Sequence, residues 1–292
     1  MKMLVFGSLN IDHTYRVPHL VRAGETLSST AYQRNAGGKG LNQAIALARA
    51  GQAVSMAGAI GRDGLFLKDY LASFGVDTSL VRVAEEATGH AVIQLDADGQ
   101  NAIFLYGGAN QAMTAQSIRE ALSAFENGDF VLLQNEINLL DEIVAQAKAR
   151  GMRVILNPSP MSERLPRLIS RVDWLILNEV EGEELTGSSD PSAIADRLLA
   201  ETPDLRVVLT LGVRGSLYAD QNRRCFQPAV TVRAVDTTAA GDTFTGFFFT
   251  SILAGKDVAY ALNLAAHASA IAVTRTGAGG SIPSLDEVLA SL

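Results

Sequence analysis

Cysteine is almost missing from this chain: Cys225 is the only one, so no internal disulfide can form, and a lone thiol in an apparent strand reads as a small apolar filler. Long apolar runs are missing as well. No stretch reaches the roughly 18 residues needed to span a bilayer, and Met1-Lys-Met-Leu-Val-Phe6 enters a strand without the apolar core of a signal peptide. A cytoplasmic protein is the expectation. Basic residues are outnumbered: 24 Lys and Arg against 31 Asp and Glu leave a net charge of −7, and no basic cluster stands out to attract nucleic acid or an anionic membrane. Any polyphosphate must therefore be held by local groups. His13, His19 and His90 lack metal-ligand spacing. No Walker A loop occurs, and no Gly-x-Gly-x-x-Gly follows the first strand. The second absence counts against a dinucleotide-dependent dehydrogenase. Finally, no Pro- or Ser-rich linker, internal repeat or low-complexity tract divides residues 1–292, so one domain is expected.

What is present is a regular alternation. With 48% hydrophobic and 19% charged residues the chain can bury a substantial core, and apolar strands alternate with amphipathic helices along its length, which predicts an α/β fold with a mostly parallel sheet. Met3–Phe6, 129–134, 152–156 and 173–177 are apolar without alternation, as strands covered on both faces are. Polar residues follow them: Gly7 to Asp12 as a loop, then Glu136, Asn157 and Asn178. In open α/β sheets ligands bind at those carboxyl ends. Residues of about 11–34 and 88–108 do not fit a doubly wound core. The second piece holds a hairpin signal at Ala97-Asp98-Gly99-Gln100, and the two are expected to form one small sheet over the active site.

The stretch with the most chemistry is Asp236-Thr-Thr-Ala-Ala-Gly-Asp242-Thr-Phe-Thr-Gly246. It lies between an apparent strand, with Val230, Val232 and Val235, and a buried helix from Phe244 to Leu253. Small residues at Ala239, Ala240 and Gly241 leave the N–H groups of a helix N-terminus uncovered, so an anionic group can approach closely. Asp242 falls in the first turn, where the helix dipole favours a charged carboxylate. A carboxylate beside a phosphoryl cradle suits a base that accepts the proton of an attacking hydroxyl. The simpler alternative is an Asp that caps a helix.

A second stretch, Asn35-Ala-Gly37-Gly38-Lys39-Gly40-Leu-Asn42-Gln-Ala, opens another helix. Its glycines let backbone approach a small polyol, with Lys39 and Asn42 donating to hydroxyls; a Gly-rich helix entry is the plainer reading. Asn10 and Asp12 offer an amide and a carboxylate, a pair suited to vicinal hydroxyls, or else an Asx-turn. Asn178 and Glu181, three apart at a helix start, are close to a capping box and would equally orient a hydrated Mg²⁺.

Together these stretches resemble the paired signatures of the ribokinase-like (phosphofructokinase B type) carbohydrate kinases, the group that includes fructokinase and adenosine kinase. Gly7-Ser-Leu-Asn10-Ile-Asp12, Gln134-Asn-Glu136, Asn157-Pro-Ser-Pro160, Asn178-Glu-Val-Glu181, Thr210-Leu-Gly-Val-Arg-Gly215 and Ala272-Val-Thr-Arg-Thr-Gly277 follow the family in order, across essentially the whole chain. The resemblance implies a ribokinase-like fold with the small sheet as a lid, and a homodimer formed through the lids. It implies transfer of the γ-phosphoryl of ATP to a primary hydroxyl, with D-ribose the expected acceptor. Deoxyribose, another pentose or hexose, a nucleoside, or a non-catalytic sugar sensor are the alternatives. Asp242 would be the base and Ala239, Ala240 and Gly241 the anion cradle. Asn10, Asp12, Gly38, Lys39, Asn42 and Glu136 would bind sugar. Asn178, Glu181, Thr210, Gly212, Gly215 and His267 would bind ATP, with Mg²⁺ bridging its phosphates. Asp236, Thr238, Val273, Thr276, Ala278 and Ser281 would surround a potassium-like ion. Two departures from the pattern are Gln134-Asn135 where a Leu often precedes the Glu, and Phe247 where a small residue usually follows Gly246.

Overall fold

The computed structural model describes residues 1–292. The chain begins with β1 (Met3–Phe6), β2 (Asn10–Arg16), β3 (Ala31–Gly37), α1 (Lys39–Arg49), β4 (Val54–Ile60), α2 (Leu65–Ser73) and β5 (Asp77–Val83). It continues through β6 (Gly89–Leu95), β7 (Asn101–Tyr106), α3 (Ala115–Leu122), β8 (Phe130–Gln134), α4 (Leu140–Ala149), β9 (Arg153–Asn157), α5 (Leu165–Ile169) and β10 (Trp174–Asn178). The remainder is α6 (Glu179–Thr186), α7 (Pro191–Glu201), β11 (Arg206–Thr210), β12 (Ser216–Ala219), β13 (Arg224–Gln227), α8 (Ala240–Leu253), α9 (Val258–Val273) and α10 (Leu285–Leu289). Nine strands make one sheet in the order β13-β12-β11-β10-β9-β8-β1-β4-β5. It is parallel from β11 to β5, and β12 and β13 run antiparallel at one edge. Four strands in the order β3-β2-β6-β7 form the second, smaller sheet.

The unalternating strands are apolar on both faces because both faces are covered. Met3 and Val5 of β1 belong to the layer built by α1, α8 and α9, whereas Leu4 and Phe6 belong to the layer built by α3, α4 and α7. Full burial of each such side chain stabilises by about 1.5–3 kcal/mol. The order reverses around β1: β4 and β5 lie on one side, β8 and β9 on the other. That switch point opens a crevice at the strands' carboxyl ends.

Three local expectations need correction. Val230, Val232 and Val235 form no strand; Val235 and Asp236 instead donate their N–H groups to Val273 O at 2.7 and 3.2 Å. Their β-propensity has no neighbouring strand to pair with. The segment after β1 is not loop throughout, because Asn10 already pairs with Gly37 and Gly89 as β2 begins. The edge strand β5, half-exposed and without clean periodicity, gave no signal in the sequence. Elsewhere α8 is longer than its aromatic run and starts at Ala240, so Asp242 lies in its first turn.

One crossing positions the chemistry. A Cβ on Gly246 would overlap Ala46 of α1, so the absent side chain lets α8 lie directly on α1. Phe247 then fills the layer behind with Phe248 and Phe249, all fully buried. No helix is long and apolar enough to cross a membrane.

Candidate active site

At the switch point, the loops after β1 and β8 meet. Ser8 Oγ donates to Glu136 Oε2, which also accepts from the backbone N–H of Lys39 at 3.2 Å. Burial raises the Glu136 carboxyl above its usual range, against the hydrogen bond from Ser8 and the charge of Lys39. Burial alone would draw the Lys39 ammonium down, but the carboxylates of Asp242, Glu136 and Glu181 outweigh it and hold the group above its ordinary value. Lys39 is thus a fixed cation among three acids.

The small sheet supplies the opposite wall. Asn10 is buried, and its Oδ1 accepts from Asn110 Nδ2 at 2.7 Å. Asn110 is itself oriented by the backbone N–H of Leu9, which donates to its Oδ1 at 3.0 Å. Asn10 therefore turns its NH₂ outward as a donor. Asp12, two residues on and on the same face of β2, is raised to about 6 by burial and by the nearby charge of Glu136, with no hydrogen bond to lower it. A donor and an unpaired acceptor stand side by side.

Beside this wall lies a cavity of about 230 Å³ lined by Lys39, Asn178, Glu181 and Thr210 on one side and by Ala239, Ala240, Gly241 and Asp242 on the other. Asn178 and Glu181 form a complete capping box, Asn178 Oδ1 accepting from Glu181 N at 2.8 Å and Glu181 Oε2 from Asn178 N at 3.0 Å. The capping role is real, and it leaves Glu181 Oε1 without a protein partner. Across the cavity, Ala239 adopts a left-handed conformation with φ 59°, a strain of order 1–3 kcal/mol for a residue with a Cβ. It turns the chain so that α8 presents its N-terminus. The Ala240 N–H bonds Thr237 O at 3.2 Å, while those of Ala239, Gly241 and Asp242 have no protein partner. A Cβ on Gly241 would meet only open space. An anion can settle on these N–H groups with the dipole of a long helix behind them.

Asp242 sits where the cavity meets α1. Asn42 Nδ2 donates to its Oδ2 at 3.2 Å and Gln43 Nε2 to its Oδ1 at 2.8 Å. Behind the turn, Asp236 Oδ1 accepts from Thr238 N at 2.9 Å and Thr238 Oγ1 at 2.6 Å, and Oδ2 from Gly277 N at 2.9 Å. Burial pushes the Asp236 carboxyl up, but these hydrogen bonds prevail and hold it low. Ser281 closes the segment by donating Oγ to Ala278 O at 2.7 Å, whereas Thr276 is exposed.

The expected residues therefore fall into one connected site with outliers. Gly38 lies against Ser8 and the Asn10 N–H. Gly212 and Gly215 shape the loop after β11 but do not line the cavity. His267 also stands outside it, with Nδ1 3.2 Å from Ser291 Oγ. It shares a face of α9 with Asn263, which accepts from Gln227 at 3.3 Å beside Gly215. Sequence reasoning missed Ser8, Gln43, Asn110 and Thr237. The signal for Gln43 was a polar residue in an otherwise apolar, Ala-rich helix face; Ser8 lies in a loop and Asn110 in a short 3-10 turn, where polar residues are unremarkable.

The pfkB family carbohydrate kinases match residues 1–285 of this chain. The ribokinase of Haemophilus influenzae is 38% identical over 296 residues, covering 98% of this chain and 97% of its own. Among solved structures, the ribokinase of Thermotoga maritima superposes with a TM-score of 0.90 at 32% identity, over 99% of this chain and 98% of its own. That of Arabidopsis thaliana, solved with ribose and ATP, gives 0.88 at 33%, over 99% and 97%. With an Asp at a helix N-terminus beside a wall of buried amide and carboxylate groups, the chain belongs to the pfkB family of carbohydrate kinases, phosphotransferases that use an alcohol group as acceptor.

Proposed function

We propose that the protein is an ATP-dependent ribokinase, transferring the γ-phosphoryl group of ATP to the primary hydroxyl of D-ribose to give ribose 5-phosphate and ADP. The observation that carries the reading is the place of Asp242: its carboxylate joins the sugar wall to the open N-terminus of α8. Ribose presents vicinal secondary hydroxyls, and the Asn10 donor with the Asp12 acceptor is complementary to them. A nucleoside would want apolar or aromatic walls where this wall has Asn10, Asp12, Lys39, Asn42 and Glu136. Deoxyribose would leave one of the buried polar groups unpaired, which costs about 1–3 kcal/mol.

In the reaction Asp242 takes the hydroxyl proton as the oxygen attacks the γ-phosphorus, and the bond to the β-γ bridging oxygen breaks. The N–H groups of Ala239, Gly241 and Asp242 hold the charge that spreads over the transferring oxygens. Mg²⁺ supplies charge neutralisation between phosphates. It suits the free Oε1 of Glu181, since this ion keeps most of its waters and takes few protein ligands. Thr210, which lines the cavity, and Gly212, Gly215 and His267, which lie outside it, are assigned to the nucleotide. Asp236 Oδ2, which accepts a single hydrogen bond from Gly277, is the hard oxygen donor assigned to K⁺, with Thr238, Val273, Thr276, Ala278 and Ser281 around it.

The small sheet, with its strands at about 11–34 and 88–108, acts as a lid, and a second copy covers it. By register Ala91 and Leu105 lie beside Asp12, and Ile93 and Ile103 beside Thr14, on one face. Ile103 and Leu105 are 53% and 54% exposed in the single chain, so a partner lid would bury them. The cytoplasm, where ATP and Mg²⁺ are plentiful, is the assigned compartment.

The test is a panel of pentoses, hexoses and nucleosides with ATP-Mg²⁺, monitored by ADP release. Ribose should give the highest kcat/KM. A nucleoside or deoxyribose in first place would overturn the substrate, and ADP release that no sugar accelerates would overturn the kinase reading in favour of a sensor.

A further inference from the structure

Behind Asp242 lies a chain of buried amides whose direction is fixed by one backbone carbonyl. Asn157, at the end of β9, donates Nδ2 to Ile176 O at 3.0 Å. Only its NH₂ can face a carbonyl, so its Oδ1 must accept, and it does so from Gln43 Nε2 at 3.1 Å. The Gln43 NH₂ is thereby turned toward Asp242, and its second proton goes to Asp242 Oδ1 at 2.8 Å. Its carbonyl then faces the other way and accepts from Gln134 Nε2 at 2.6 Å. Gln43 and Gln134 are both fully buried. Gln134 fits only because Gly7 has no side chain, since a Cβ there would overlap its Oε1.

The two oxygens of Asp242 are not equivalent as a result. Oδ1 is held by a buried, oriented donor, while Oδ2 has only the longer bond of 3.2 Å from Asn42. We infer that Gln43 is a positioning residue for phosphoryl transfer: held by Asn157 and Gln134, it pins Asp242 Oδ1 and so leaves Oδ2 as the oxygen that takes the proton from the sugar. The inference rests on Asp242 being the base. Gln43 contacts no substrate itself; it sets the angle and reach of the group that does, and a misplacement of about 1 Å can cost on the order of 100-fold in rate.

Gln43→Met keeps the bulk and removes both donors. Its kcat should fall roughly 10- to 100-fold, with the KM values for ribose and ATP within about threefold of the parent. Ribose binding by calorimetry confirms that the protein counted is folded. In an Asp242→Asn background Gln43→Met should cause less than about a twofold further loss, because residues acting as a unit are non-additive. If the Met variant does not fold, Gln43→Leu replaces it: it too offers Asp242 no donor, and the same fall in kcat is expected. A folded Met or Leu variant with at least half the parent kcat overturns the inference, as does a loss confined to KM or to thermal stability. Asp242→Asn alone retaining more than a tenth of the parent rate would instead overturn the base assignment, whatever Gln43 does.

Discussion

Lowering the pH through 6 should weaken the enzyme's grip on its sugar, and the structure gives the size of the effect. Burial, with the nearby charge of Glu136, raises the Asp12 carboxyl from an ordinary 3.8 to about 6. A carboxylate accepts a hydroxyl's hydrogen bond more strongly than a neutral acid does, so the ionised form is the one that binds. Just above pH 7 nearly all of the sites are charged, whereas at pH 5 about one in ten is, and the KM for ribose should be about tenfold higher. Glu136 is raised in the same direction by its own burial. Asp12→Asn should raise KM at pH 8 and remove most of the slope. The same shift bears on stability with a definite sign. Between pH 3.8 and about 6 the folded protein keeps a proton that the unfolded chain has lost, so stability falls as pH rises through that window. The cost levels off above about pH 6 at about 3 kcal/mol as an upper figure. Asp12→Asn should accordingly stabilise the sugar-free protein at pH 8, by urea denaturation, and leave it unchanged near pH 3. Steady-state KM measured from pH 5 to 8 at saturating ATP-Mg²⁺ decides the matter. A KM constant within twofold over that range, or the same slope in the Asn variant, would refute the reasoning.

Asp242→Asn should lower kcat by roughly two to four orders of magnitude, the range for a positioned base, with sugar and ATP affinity within a few-fold; stopped-time ADP assays and ribose calorimetry separate the two. Replacing sodium or tetramethylammonium by potassium at fixed ionic strength should raise kcat several-fold by ordering the turn that Asp236 ties to Gly277, and Asp236→Ala should abolish the difference. Equal rates in all three salts for the unmodified protein would show that the turn needs no ion. Sedimentation at micromolar concentration should give a dimer, and Leu105→Glu should shift it toward monomer; a fully active monomer would remove the lid interface from the account.

Much of this was legible in the sequence because it depends on local physics. The apolar runs ending in Gln134, Asn157 and Asn178 announce strands covered on both faces with polar groups at one end, and a run of small residues before Asp242 announces an uncovered helix N-terminus. Val230 to Val235 misled for the complementary reason: β-propensity describes a residue's fit to a sheet, and whether a neighbouring strand exists to pair with it is not a local fact. The half-exposed edge strand β5 was missed because an edge needs no strict apolar pattern.

Composition, periodicity and motif order alone determined the α/β architecture, the anion turn, the candidate base and the two stretches that must converge upon it. Only the tertiary structure decided how they converge: that Gly246 lets α8 lie against α1, that Asn42 and Gln43 then reach opposite oxygens of Asp242, and that Asn110 settles which way the Asn10 amide points. Hydrogen bonds between residues 100 to 200 positions apart leave no periodic trace in a chain. Their partners are chosen by packing, which brings groups within hydrogen-bonding distance whatever their separation in sequence, and burial then makes each unpaired orientation costly.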